Sequence, residues 1–260
     1  MEFDIERLVP PGELIAANRI GGHADPEAAL AEFRGYGRLQ MQSWIELGYV
    51  RPDSHLLDVG CGLGRIAHSL PGFLDAGTYT GIDITRSSID WCQEHYAGLD
   101  NFRFIHADLA NHHYNRPDAA SAADYASPVD PARFDFIWSS SLFTHMQADG
   151  LDNYIGQMAR AARPGALLWN TFFILDEVSE PLARAGVPGW GALSFEAEGG
   201  LYMTEGNPDH VRAYRLDHLR ALHDRHGLQI VQIGYGGWSG RPGAVDNGQD
   251  AIVATPVVRA

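Results

Sequence analysis

Three glycines at alternate positions, Gly60, Gly62 and Gly64, punctuate the stretch His55–Arg65 (His-Leu-Leu-Asp-Val-Gly-Cys-Gly-Leu-Gly-Arg) and constrain this chain more than any other feature. Leu56, Leu57 and Val59 before them form a short apolar run of strand type, and a helical pattern over Gly64–Leu74 follows. Glycine is needed where the backbone takes positive φ or lets another group approach, so three in five residues predict a loop wrapped against something. A helix starting there would offer its unpaired first N–H groups. A tight turn with a purely structural role would use the same residues.

A strand, a glycine turn and a helix start also make up a dinucleotide site, whose spacing is G-x-G-x-x-G. Here the spacing is G-x-G-x-G, and Asp58 stands two residues before the first glycine. An acid at that point is a poor neighbour for a pyrophosphate and a better one for a cation. The pattern D-x-G-x-G-x-G resembles the first motif of the class I S-adenosylmethionine-dependent methyltransferases. The resemblance implies that Asp58, Gly60, Cys61, Gly62 and Gly64 cradle the methionine end of that cofactor.

Further matches follow at the expected distances. Thr78–Ile84 reads as a second strand ending in Asp83-Ile84. An acid about 20 residues beyond such a turn is placed to accept hydrogen bonds from ribose hydroxyls, although a cap or turn role is open to it as well. Asn101–His106 alternates as a third strand, closed by Ala107-Asp108-Leu109. The resemblance puts Asp108 and Leu109 beside the adenine; a turn-capping role is the alternative for Asp108. Phe134–Ser139 is a fourth strand, followed by Ser140-Ser141-Leu142-Phe143-Thr144-His145. In the family this strand end, Ser139 and Ser140 here, borders the methyl group. Its sequence is not the Asn-Pro-Pro-Tyr or Asp-Pro-Pro-Tyr form of enzymes that methylate exocyclic or amide nitrogens, so nucleobases and glutamine amides are disfavoured as acceptors.

Two segments surround this core. Leu30, Phe33, Gly37, Met41 and Trp44 fall three or four apart and predict a helix over about residues 27–47, weakened by Gly35 and Gly37 at roughly 1 kcal/mol each. In the family such a segment often lies over the cofactor, which makes Tyr36 a candidate contact; a plain covering helix reads equally well. A helix over Leu151–Ala162 stops at Arg163-Pro164-Gly165, and Ala166–Leu175 is a fifth strand. Residues 176–209 then break the alternation and read as an insertion that would shape the acceptor pocket, with Tyr202 and Glu205 as candidates; Trp238 joins them from the last glycine-rich connection. Asp217 is expected to cap a helix reaching His226, with Gly227 as its C-terminal glycine, before strands at Leu228–Ile233 and Asp250–Thr255. The last two form the antiparallel ending expected of the family.

Strands alternating with helices predict a doubly wound α/β fold with a mostly parallel seven-stranded sheet. The expected organisation is a helical cap over residues 1–50 and a cofactor-binding domain over 51–260, with 176–209 covering the substrate. Ligands of such sheets bind beyond the strand C-termini, where Asp58–Gly64, Asp83, Asp108 and Ser139–His145 all fall.

Charge narrows the acceptor. The chain of 260 residues carries 33 acids against 19 bases, a formal charge of −14, with no basic cluster. That argues against nucleic acid as a partner. The two cysteines, Cys61 and Cys92, do not form a disulfide framework. No metal is expected, since His112 and His113 lack carboxylates at ligand spacing and no matched set of acids accompanies Asp135 or Asp176-Glu177. No apolar run approaches the roughly 18 residues that span a bilayer, so the expectation is a cytoplasmic protein without membrane contact.

The reading that results is a methyltransferase acting on a small molecule or glycan, most readily at a hydroxyl, with His145 as the general base and Glu205, His210 and Tyr36 as weaker candidates. A homodimer is compatible with it. The alternatives are an enzyme with a protein, nitrogen or carbon acceptor, and a non-catalytic cofactor-binding protein of the same fold.

Overall fold

A computed structural model describes residues 5–18, 22–109, 121–187, 189–244 and 248–257. His112 and His113 lie outside them. The chain divides into two compact units, Met1–Ala107 and Asp108–Ala260.

In the first unit, α1 (Gly12–Ala17) and α2 (Pro26–Glu46) precede β1 (His55–Val59), β2 (Thr78–Asp83), α3 (Arg86–His95) and β3 (Phe102–His106). Asp25 caps α2 by accepting from Ala28 N at 2.8 Å, and Pro26 occupies the first helical position, where a missing N–H costs nothing. β1 pairs in parallel with β2, and β2 with β3. Leu56, Leu57, Asp58 and Val59 are all buried, so both faces of β1 are covered, as a parallel strand requires.

The helix expected over Gly64–Leu74 is absent. Only a single 3-10 turn, Ala67–Ser69, forms there. Gly64 is held at φ +81°, outside helical space, and Pro71 with Gly72 at φ +83° closes the segment a few residues later. That leaves too little chain for a helix, and the loop is fixed by burying Leu63, Ile66, Ala67 and Leu70. The glycine loop therefore has no helix N-terminus behind it.

The second unit contains β4 (Phe134–Ser139), α4 (Ala148–Ala161), β5 (Ala162–Phe172), β6 (Ile174–Leu175), α5 (Ser179–Ala185), β7 (Phe195–Ala197), β8 (Gly200–Thr204), β9 (Asn207–Arg215), α6 (Leu216–Arg225), β10 (Leu228–Gly234) and β11 (Asp250–Pro256). β4 and β5 are parallel, whereas β11 runs antiparallel to β5 and to β10, the expected ending. β5 begins at Ala162, earlier than Ala166. Arg163-Pro164-Gly165 is absorbed into an irregular strand start with Gly165 at φ +79° and a register shift against β4. β1–β5, β10 and β11 make up a seven-stranded, mostly parallel sheet.

Two details of the second unit differ from expectation. Residues 176–209 are largely ordered structure: β6, β9, β8 and β7 form a second, four-stranded sheet. It encloses its own apolar cluster of Phe173, Leu175, Ala183, Leu193, Leu201 and Ala213, among others. The capping of α6 also differs. Arg215 precedes its first turn without a side-chain cap, and Asp217 lies inside the helix, accepting from His218 N at 2.7 Å. Gly227, at φ +67°, follows the helix end as predicted.

Candidate functional site

The glycine turn is built by hydrogen bonds from the end of β2. Gly60 N and Cys61 N both donate to Ile82 O, at 2.8 and 3.1 Å, and Gly62 N donates to Asp83 Oδ2 at 2.8 Å. The other oxygen, Asp83 Oδ1, accepts from Thr85 N at 2.7 Å. Gly60, Gly62 and Gly64 take φ of +86°, +52° and +81°, which residues with a Cβ adopt only at a cost. Burial raises the pKa of Asp83, opposed by the donors of Thr85 and Gly62 and by the nearby His106. A carboxylate has about four acceptor positions, and these two main-chain bonds occupy two of them.

Asp58 lies beneath this turn, 3% exposed, and accepts from the Tyr79 hydroxyl at 2.9 Å. Burial and the Asp58 charge push the Tyr79 pKa well up, so the phenol stays a donor. Two buried thiols flank Gly62 O, Cys92 Sγ at 3.6 Å and Cys61 Sγ at 3.8 Å, and burial holds both protonated. Gly81, opposite Asp58 in the β1–β2 register, was not singled out in the sequence. A Cβ there would stand 2.8 Å from Cys61 Sγ and 2.9 Å from Tyr79 Oη.

α2 covers the same loop. The Arg65 guanidinium sits 3.9 Å from the Tyr36 ring centroid and its Nη1 is 3.2 Å from Glu32 Oε1. Gly37 is where the helix touches: a Cβ would be 1.9 Å from Arg65 O. Leu63 of the loop joins Ile15, Ala29 and Phe33 in one apolar cluster. Tyr36 is thus placed against the residues that follow the third glycine.

In the second unit Asp108 is exposed and Leu109 buried. Ser139 is fully buried and donates to Asn170 Oδ1 at 2.8 Å, its partner in the β4–β5 register. Ser140 is half-buried. Ser141 adopts φ +58° and donates its N–H to Thr171 Oγ1 at 2.7 Å. A non-glycine residue in that region costs energy that only the surrounding contacts can offset, and no feature of the sequence signals it.

His145 closes a 3-10 turn, Phe143–His145, against β9: its Nδ1 lies 3.3 Å from Asp209 O. A carbonyl only accepts, so Nδ1 carries the proton and Nε2 is the nitrogen able to take one. The Tyr214 hydroxyl donates to Met146 O at 2.5 Å, holding the turn to the same strand.

Four other candidates have surroundings of their own. The Tyr202 ring is half-buried and lies 5.3 Å from that of Phe195. Glu205 is exposed at the β8–β9 turn, and His210 Nδ1 is 2.8 Å from Thr204 Oγ1. Trp238 is 4% exposed, packs on Phe173 at 4.7 Å and donates its indole N–H to Asp250 Oδ2 at 2.7 Å. Among the described residues, no group of three or more His, Cys, Asp or Glu side chains converges as metal ligands would, and no helix is long and apolar enough to cross a membrane.

Residues 56–165 match the family model of a methyltransferase domain. That match spans less than half of the chain, and the seven-stranded sheet is the one of the Rossmann-like methyltransferase fold. Among known proteins it is similar to the O-methyltransferase cnsE of Penicillium expansum, 31% identical over 121 residues that make up 44% of this chain and 36% of that one. The match thus spans about a third of that relative's length. A chain in the complex between the Haloferax volcanii Trm112 methyltransferase activator and the putative methyltransferase superposes with a TM-score of 0.60 at 14% identity, covering 97% of this chain and 99% of that one. An S-adenosylmethionine-dependent methyltransferase from Clostridium acetobutylicum gives 0.56 at 12% identity, over 86% and 92%. At such identities the likeness to the solved structures is one of fold.

Proposed function

We propose that this protein transfers a methyl group from S-adenosylmethionine to a hydroxyl oxygen of a small molecule or glycan in the cytoplasm. The observation that carries the cofactor reading is the Asp83 carboxylate, bonded to Gly62 N and Thr85 N and retaining acceptor capacity for a ribose diol. Three positive-φ glycines beside it leave the main chain bare, and Tyr36 with Arg65 lies on the loop's other side. These residues fit the cofactor. Gly60, Gly62 and Gly64 would hold its methionine end, Asp83 the ribose, and Asp108 with Leu109 the adenine. S-adenosylmethionine, when bound, supplies a methyl on a sulfonium whose departure leaves a neutral thioether.

The protein then has to align the acceptor, exclude water and take a proton. His145 is suited to taking the proton, because Nδ1–H is held by Asp209 O and Nε2 would accept the proton of the acceptor hydroxyl. The oxygen acceptor is further supported by the Ser-Leu-Phe-Thr-His sequence after β4 and by the partial likeness to an O-methyltransferase. Residues 176–209, with Tyr202 and Glu205, would cover the acceptor. Calorimetric titration with S-adenosylmethionine and S-adenosylhomocysteine, followed by a screen of hydroxylated acceptors with mass detection, tests the reading. Micromolar cofactor binding with a gain of one methyl on oxygen supports it; no cofactor binding overturns it.

A further inference from the structure

Arg212 is the least accounted-for charge in the second unit. It lies on β9, opposite Tyr202 of β8, and is 3% exposed. Its Nη2 donates to Glu198 O at 2.7 Å, and its guanidinium carbon stands 5.1 Å from the Tyr214 ring centroid. Nε is buried without a partner among the described residues. No carboxylate of those residues forms an ion pair with it. Arg184, Arg215 and Arg241 are each paired with Glu180, Glu196 or Asp176. A buried guanidinium has five donors and a full charge to satisfy; one carbonyl and one ring face fall well short of that.

Its position has a direction. Leu201 and Ala213 pair across the hairpin and pack into the apolar cluster of the small sheet, so Tyr202, Arg212 and Tyr214 lie on the other face. That face meets the turn after β4, where Tyr214 donates to Met146 O, and the same strand receives His145 at Asp209 O. Arg212 lies three residues along the strand from Asp209, about 10 Å along the chain.

We infer that Arg212 anchors a carboxylate of the methyl acceptor. This rests on the methyltransferase reading above and names the acceptor class: a small hydroxylated carboxylic acid with an aromatic or flat body for the half-buried Tyr202 ring. Guanidinium and carboxylate match as planar, bidentate partners, and the unspent Nε–H supplies a donor. Buried in this way, the arginine rejects neutral analogues because they leave its donors unpaired.

The test uses the full chain saturated with S-adenosylhomocysteine. The probes are hydroxybenzoates and hydroxycinnamates, each beside its amide, followed by thermal midpoint and by calorimetry. The carboxylates are expected to raise the midpoint and to bind at least about tenfold more tightly than the amides, the range of a hydrogen bond to a charged group. Arg212→Met removes that preference and leaves S-adenosylhomocysteine affinity unchanged. Arg212→Lys, which keeps the charge without the fork, retains part of it and serves if the methionine variant does not fold. Equal binding of acids and amides by a wild type that holds S-adenosylhomocysteine overturns this inference alone. A preference that survives in both variants overturns it too. A wild type that does not bind S-adenosylhomocysteine overturns the methyltransferase reading and this inference with it.

Discussion

Gly62 N donates to Asp83 Oδ2 at 2.8 Å, so one carboxylate at the end of β2 fixes the conformation of the loop after β1. The same side chain through which ribose recognition is proposed is therefore also a structural tie. Asp83→Ala is expected to lower unfolding stability by about 1–3 kcal/mol through two orphaned main-chain donors and to weaken S-adenosylhomocysteine at least about tenfold. Asp83→Asn recovers most of the stability and little of the affinity. Calorimetry beside urea unfolding checks both, and wild-type affinity in the alanine variant would remove Asp83 from the site.

Gly35 and Gly37 are two residues apart on α2 and should respond in opposite senses. A Cβ at Gly35 meets nothing within 4 Å, so Gly35→Ala should stabilise by about 0.5–1 kcal/mol. At Gly37 the Cβ would stand 1.9 Å from Arg65 O, so Gly37→Ala must lift the helix off the glycine loop. A loss of about 1–3 kcal/mol, with weaker cofactor binding, is the expectation. Denaturant melts of the two variants decide it, and a neutral Gly37→Ala would contradict the packing.

His145→Gln is predicted to reduce kcat by about 10²–10⁴ while leaving S-adenosylhomocysteine affinity within about twofold. A variant that keeps the rate would reassign the base.

Asp250 is fully buried and accepts from Ile174 N, Gly236 N and the Trp238 indole. Burial nevertheless pushes its pKa up, from 3.8 to about 6. With the folded value above the unfolded one, protonation favours the native state. That contribution is complete below about pH 4 and lost as pH rises through 6, amounting to at most about 3 kcal/mol. Asp152, Asp176 and Glu180 are shifted down by their arginine and histidine partners and main-chain donors, and so act with the opposite sign. The difference between wild type and Asp250→Asn isolates the Asp250 part. Urea unfolding from pH 4.5 to 7.5 should show the variant gaining on the wild type as pH rises; parallel curves would deny the buried titration.

Local signals account for what was legible before any coordinates. Alternating or continuous apolar runs define β1, β2, β4, β10 and β11, because a strand buried on one or both faces must repeat in its own residues. Glycines at Gly60, Gly62 and Gly64 report a backbone requirement that is local by nature, and Asp83 follows at the spacing one crossover imposes. Gly227 after α6 is of the same kind.

What the sequence left open is what depends on partners far away along the chain. Whether Gly64–Leu74 becomes a helix is decided by how Leu63 and its neighbours are buried under α2, not by their periodicity. In the sheet of β6–β9, β6 and β7 are too short to stand out alone, and the sheet exists because Leu201 and Ala213 find Phe173 and Leu175 to cover. Trp238 resembles a pocket aromatic until Asp250 is seen to take its N–H. An arginine in the sequence is ordinarily a solvated charge; Arg212 stands out only when the fold buries its guanidinium and no acid among the described residues pairs with it.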